Sequence, residues 1–191
     1  MAATSEEALV DPTPCEDFDV RTLMGHLIGT AERSMGTAEG RSATQIPHVV
    51  VDVGDADLAG RYMELSEQVS TAWTYLEPGQ DVTAPWGSCS AEAALRGFTI
   101  ETVVHGWDLA VATDQPVEAP DGVVDSVNAH VDRVVPEGAR ARMHAAARAP
   151  VDGAGPTERL ANTLGHHRRR NRRPGGLLDV LQTARISIRL R

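Results

Sequence analysis

Apolar positions recur at three- and four-residue intervals through most of this 191-residue chain, which predicts helices rather than strands. Two prolines forbid a helix over residues 11–18, and Asp19 then reads as an N-cap. Val20, Leu23, Met24, Leu27 and Ile28 follow at helical spacing and predict a first helix from 20 to the high thirties. Residues 40–55 read as a loop punctuated by Pro47 and Gly54. Leu58, Tyr62, Leu65, Val69, Ala72 and Trp73 predict a second amphipathic helix within 55–76, stopped by Glu77-Pro78-Gly79. Segment 80–88, with Pro85-Trp86-Gly87, is expected to be a turn or short hairpin.

Ser90 is a good N-cap for a third helix running to Thr113, with Glu92 in its first turn. Its apolar residues cover more than one stripe, so it is expected to be the most buried helix. A fourth helix is predicted over 121–135. Residues 137–156 read as irregular, and a short helix is expected at 157–164, ending at Gly165. Four main helices without strand–helix alternation predict an all-α, up-and-down four-helix bundle over residues 1–165.

Composition agrees with a packed helical domain: 41 % of residues are hydrophobic and only 4 % aromatic. Cys15 and Cys89 are far apart and form no metal-finger spacing, which fits a reducing cytoplasm. The N-terminus lacks the basic start and apolar stretch of a signal peptide. No stretch approaches the roughly 18 consecutive apolar residues of a membrane span, so neither secretion nor a membrane is expected. All 18 basic residues are arginine. Residues 1–165 carry a formal −16 and residues 166–191 a formal +7. The acidic body argues against nucleic acid as its ligand, and the Arg-rich segment 166–191 reads as a solvated, poorly ordered tail.

Candidate chemistry sits on the first and third helices. Glu101 and His105 are four residues apart, one turn along the same helix face, and can reach one ion. The plainer alternative is a carboxylate paired with arginine or water, beside a hydrogen-bonded core histidine. His26 lies on or next to the apolar face of the first helix, and alone it too reads as a core histidine. In bundles, however, facing helices build metal sites from such residues, and three protein ligands with an open position is the catalytic arrangement. His48, His130, His144, His166 and His167 are expected at the surface. Cys15 reads as a small packed residue rather than a fourth ligand. Asp108 is expected either to orient a ligand histidine from behind or to pair at the surface. Trp107 reads as core or pocket wall, and Trp86 as a roof over the site or a loop aromatic packed on the body.

Thr13-Pro14-Cys15-Glu16-Asp17-Phe18, leading into Val20-Arg21, Leu23 and His26-Leu27, resembles the start of the metal-binding domain of mycothiol-dependent maleylpyruvate isomerases. That domain belongs to the DinB-like four-helix-bundle superfamily. Glu101-Thr102-Val103-Val104-His105-Gly106-Trp107-Asp108-Leu109-Ala110 resembles the second signature, and Glu158–Gly165 a later one. The resemblance implies a divalent metal, usually zinc, held by His26, Glu101 and His105, with a low-molecular-weight thiol entering the open position as thiolate. It implies a thiol-dependent isomerase or S-transferase acting on a small electrophile. A non-catalytic metal-binding or sensing domain and a metal-dependent hydrolase are the alternatives. The isomerase's additional C-terminal domain, which contributes to thiol binding, finds no room in this chain. Bundles of this sort often form homodimers.

Overall fold

The computed structural model describes residues 1–120, 122–129, 131 and 145–168, and these are mainly helical with one two-stranded hairpin. Helix α1 spans Val20–Ala38, α2 Leu58–Trp73, α3 Ala91–Ala112, α4 Val123–Asn128 and α5 Pro156–Thr163. Strands β1 (Asp81–Ala84) and β2 (Gly87–Ser90) pair antiparallel, with Asp81 opposite Ser90 and Ala84 opposite Gly87. Among the described residues, no helix is long and apolar enough to cross a membrane.

Helix boundaries follow local chemistry. The Asp19 carboxylate accepts from the Thr22 N–H at 2.8 Å, satisfying one of the donors left open in the first turn of α1. Ser90 does the same for Ala93 N–H at the start of α3. Gly165, with φ of +91°, ends the last described helix in the left-handed conformation that glycine adopts without strain. Replacing Asp19 with alanine is expected to cost about 1 kcal/mol of stability in urea unfolding. A loss near zero would mean that the cap contributes nothing to α1.

Helix α1 packs between α2 and α3, and Leu23, Ile28, Leu58 and Leu65 are fully buried in that layer. Each such side chain contributes about 1.5–3 kcal/mol by leaving water. On its other side α3 meets α4 and α5 through Ile100, Val104, Trp107, Val127, Leu160 and Leu164. The hairpin closes one end, where Val82 and Ala84 join Trp73, Ala94 and Phe98.

Burial ranks the helices differently from the apolar pattern. In α1, 12 of 19 residues are buried, against 10 of 22 in α3, so α1 is the central helix. The reason is close approach. Gly25 and Gly29 let the loop at 47–50 lie directly on α1: a Cβ on Gly25 would meet the Val50 carbonyl oxygen, and one on Gly29 would lie 2.8 Å from the Pro47 oxygen. The Val50 N–H donates back to the Gly25 carbonyl at 3.1 Å.

The fourth predicted helix is described at Val123–Asn128 and at the helical residue Val131, and it follows Gly122. Residues 132–144, including His144, and His130 lie outside the described residues, as does 169–191. Residues 145–155 carry no strand. Residues 166–168 pack on the body: Asn162 Nδ2 donates to the His166 carbonyl, and Arg168 pairs with the buried Glu158 carboxylate at 2.9 Å.

Candidate metal centre

Helices α1 and α3 bring His26 and His105 ring to ring, with centroids 4.6 Å apart at a steep angle. Glu101 stands between them. Its Oε2 lies 3.5 Å from His26 Nε2 and 3.6 Å from His105 Nε2, and the three ligand atoms all fall within 4.8 Å of one another. A tetrahedral ion with bonds of about 2.0–2.1 Å separates its ligands by about 3.4 Å, so the observed spacing fits one ion.

Both imidazoles are held from behind. His26 Nδ1 is 3.1 Å from the His48 backbone carbonyl, which can only accept, so Nδ1 carries the hydrogen and the Nε2 lone pair faces Glu101. His105 Nδ1 is 3.0 Å from Asp108 Oδ2, and the same oxygen receives His166 Nδ1 at 2.8 Å. Such partners fix the tautomer and aim of a ligand histidine. Burial opposes the charge of Asp108, yet the hydrogen bonds from His105 and His166 outweigh it and hold the carboxyl below its usual range. Burial likewise opposes protonation of His105, but its bond to Asp108 and the negative charge of Glu101 prevail and raise its pKa. The carboxylates of Asp108 and Glu101 thus favour positive charge at His105, against the nearby Arg33.

The segment before α1 forms the near wall. Thr13 is buried, and its hydroxyl donates to the carbonyls of Cys15 and Phe18, which pins the turn. Phe18 then lies 5.2 Å from the His26 ring and 6.3 Å from the His105 ring. The ligand atoms open onto a cavity of about 510 Å³, which Cys15, Phe18, His48, Arg148 and His166 also line. There is room here for a small ligand beside an ion.

Cys15, His105 and Asp108 form a second group with ligand atoms within 4.8 Å of one another. It competes for His105, whose Nδ1 is already bonded to Asp108. Burial, and then the nearby Asp108 charge, push the Cys15 thiol up to about 11. Without a metal the thiol is therefore mostly protonated near neutral pH. At pH 8 such a thiol is about one-thousandth ionised, against roughly a quarter for an ordinary cysteine. Cys15 is accordingly expected to react with iodoacetamide more than tenfold slower than free cysteine, read by mass spectrometry of the metal-free protein. Ordinary reactivity would contradict this.

The two tryptophans singled out from sequence lie elsewhere. Trp86 rests against Gly97 with its ring 4.9 Å from Phe98, and Trp107 is buried in the core under the Arg168 guanidinium. Neither lines the cavity at His26, Glu101 and His105. His48, exposed as expected, and His166, half-buried rather than at the surface, both support the site. His48 does so through its backbone carbonyl, which no side-chain pattern reveals. For His166 the only hint was its position directly after the helix-ending Gly165.

A family model for the mycothiol maleylpyruvate isomerase N-terminal domain matches residues 1–110. The chain belongs to this family. Membership places it in the DinB-like superfamily and associates it with metal binding and mycothiol chemistry. No curated protein and no solved structure matched the chain. The matched residues include α1, the hairpin and α3 through the second motif, so all three members of the His26–Glu101–His105 group lie inside the family region.

Proposed function

We propose that His26 Nε2, a Glu101 carboxylate oxygen and His105 Nε2 hold one divalent metal ion. Zinc is the best match to two imidazoles and a carboxylate. We further propose that the protein uses a low-molecular-weight thiol of the mycothiol type to isomerise a small electrophile or to attach that thiol to it. The observation that carries this reading is the convergence of two imidazole Nε2 atoms on one Glu101 oxygen, each with its Nδ1 already engaged. Family membership supplies the thiol context.

When bound, a divalent ion supplies Lewis acidity that favours thiolate over thiol near neutral pH. The chain's own residues do the rest. The His48 carbonyl and Asp108 keep both imidazoles in the ligating tautomer. Glu101 contributes negative charge, and Phe18 shields the rings from water on one side. The cavity leaves space for thiol and electrophile together, with Arg148 among the residues that line it. We read residues 1–165 as one four-helix-bundle domain with its fourth helix beginning at Val123, residues 166–191 as its tail, and the cytoplasm as its setting.

Elemental analysis of the purified protein is expected to find stoichiometric divalent metal, with turnover of a small electrophile only when thiol is added. Hydrolysis without thiol would instead favour metal-activated water in the open position. Tight metal binding with neither activity would leave a non-catalytic binding or sensing domain.

A further inference from the structure

The cavity beside the His26–Glu101–His105 group is walled in part by Ala145, Arg148, Leu164, Gly165 and His166, which lie beyond the residues matched by the family model. His166 is set firmly in that wall. Its N–H donates to the Ala161 carbonyl at 3.0 Å, and its own carbonyl accepts from Asn162 Nδ2 at 2.8 Å. Gly165 just before it, at φ of +91°, makes a turn where any side chain would collide with the Ala145 backbone.

The ring is fixed as well. Asp108 is fully buried, and its Oδ2 lies 2.8 Å from His166 Nδ1 and 3.0 Å from His105 Nδ1. An ionised carboxylate only accepts, so each Nδ1 carries its hydrogen, and in the neutral rings each Nε2 keeps a lone pair aimed away from Asp108. That of His105 faces Glu101 Oε2 at 3.6 Å. His166 Nε2 takes no hydrogen bond among the described residues. Unlike Asp108 Oδ1, which is buried without a partner, it retains accessible surface, in a side chain that is 12 % exposed and lines the cavity. The two rings stand 5.3 Å apart, centroid to centroid. A free acceptor is thus fixed in the cavity onto which the ligand atoms of the candidate metal centre open.

We propose that His166 Nε2 accepts a hydrogen bond from the small molecule bound in this cavity, and so selects a thiol with an O–H or N–H on the carbon next to the one bearing sulfur. A thiol lacking that donor takes Nε2 out of water and leaves it unpaired, and this cost is the source of the discrimination. His166 is then a specificity-determining residue, and choice of thiol is made by a part of the chain separate from the ligand atoms of the ion. The selection rests on the proposed thiol chemistry; the fixed orientation of the His166 ring does not.

Two measurements test this on the full chain. In the metal-free protein at mildly alkaline pH, nitrogen NMR of labelled histidine is expected to show His166, assigned by loss of its signals in His166→Asn, as the Nδ1–H tautomer. The Nε2–H tautomer would overturn the proposal whether or not a metal binds. In the metal-loaded protein, calorimetry compares β-mercaptoethanol with n-propanethiol, which has a methyl group in place of the hydroxyl. The preference for β-mercaptoethanol is expected to fall by about fivefold or more in His166→Asn. Metal content is read alongside, and the asparagine amide, which can still donate to Asp108, keeps the ion in place. His166→Phe should lose the preference to the same extent. An unchanged preference in both variants would overturn this inference and leave the thiol reading standing. Failure of either thiol to bind the loaded wild type would overturn both.

Discussion

Replacing His105 with alanine is expected to abolish metal uptake and thiol binding together. The substitution removes one of three protein ligand atoms and leaves His26 and Glu101, two ligands on different helices, to hold an ion. The effect should exceed the roughly 10–100-fold loss typical when an outer partner of a ligand histidine is removed. It also strands Asp108, whose Oδ2 then keeps only His166. The His105 side chain is 12 % exposed at a cavity wall rather than in the apolar core, so the fold should survive, as thermal unfolding will reveal. Metal content by mass spectrometry and calorimetric titration of a small thiol provide the readouts. Cys15→Ala should leave both unchanged, because Cys15 is assigned to the wall. Thiol binding that persists in metal-free His105→Ala protein would refute the thiol-on-metal reading.

Gly29→Ala tests how the fold positions the site. The added Cβ would stand 2.8 Å from the Pro47 carbonyl oxygen and 2.9 Å from that of His48. Neither is the far end of a flexible side chain, so the loop itself has to move. Overpacking of this kind costs about 1–3 kcal/mol. That exceeds the gain of up to about 1 kcal/mol that alanine brings to a helix interior. The His48 carbonyl is also the group that holds His26 Nδ1, so metal affinity should fall by about 10–100-fold although no ligand has changed. Urea unfolding and metal titration measure the two effects separately. A Gly29→Ala protein as stable as wild type with unaltered metal affinity would show that the loop adapts freely and that the carbonyl does not orient the ring.

Much of the local structure was legible because it is written in neighbouring residues. The caps at Asp19 and Ser90, the break at Glu77-Pro78-Gly79 and the stop at Gly165 act within a turn or two of themselves. The periodic apolar positions gave α1, α2 and α3 nearly to their ends. Periodicity failed at the ranking of burial, because α1 is made central by glycines that admit another segment's backbone. A glycine in a sequence does not say what approaches it.

The candidate ligands divide along the same line. Spacing alone placed Glu101 and His105 on one helix face, since a helix fixes that relation over four residues. Bringing His26 to them across some seventy-five intervening residues depends on how α1 packs against α3, and that arrangement exists only in the folded chain. Asp108 could be named from sequence, but its choice between the surface and His105 was settled by burial, which makes an unpartnered carboxylate costly. The support from the His48 carbonyl had no local signal, that from His166 only its place after Gly165, and the choice between the open readings of Trp86 and Trp107 waited on the fold. They arise where segments distant in sequence meet, and contacts of that kind are decided by tertiary packing rather than by any stretch of residues.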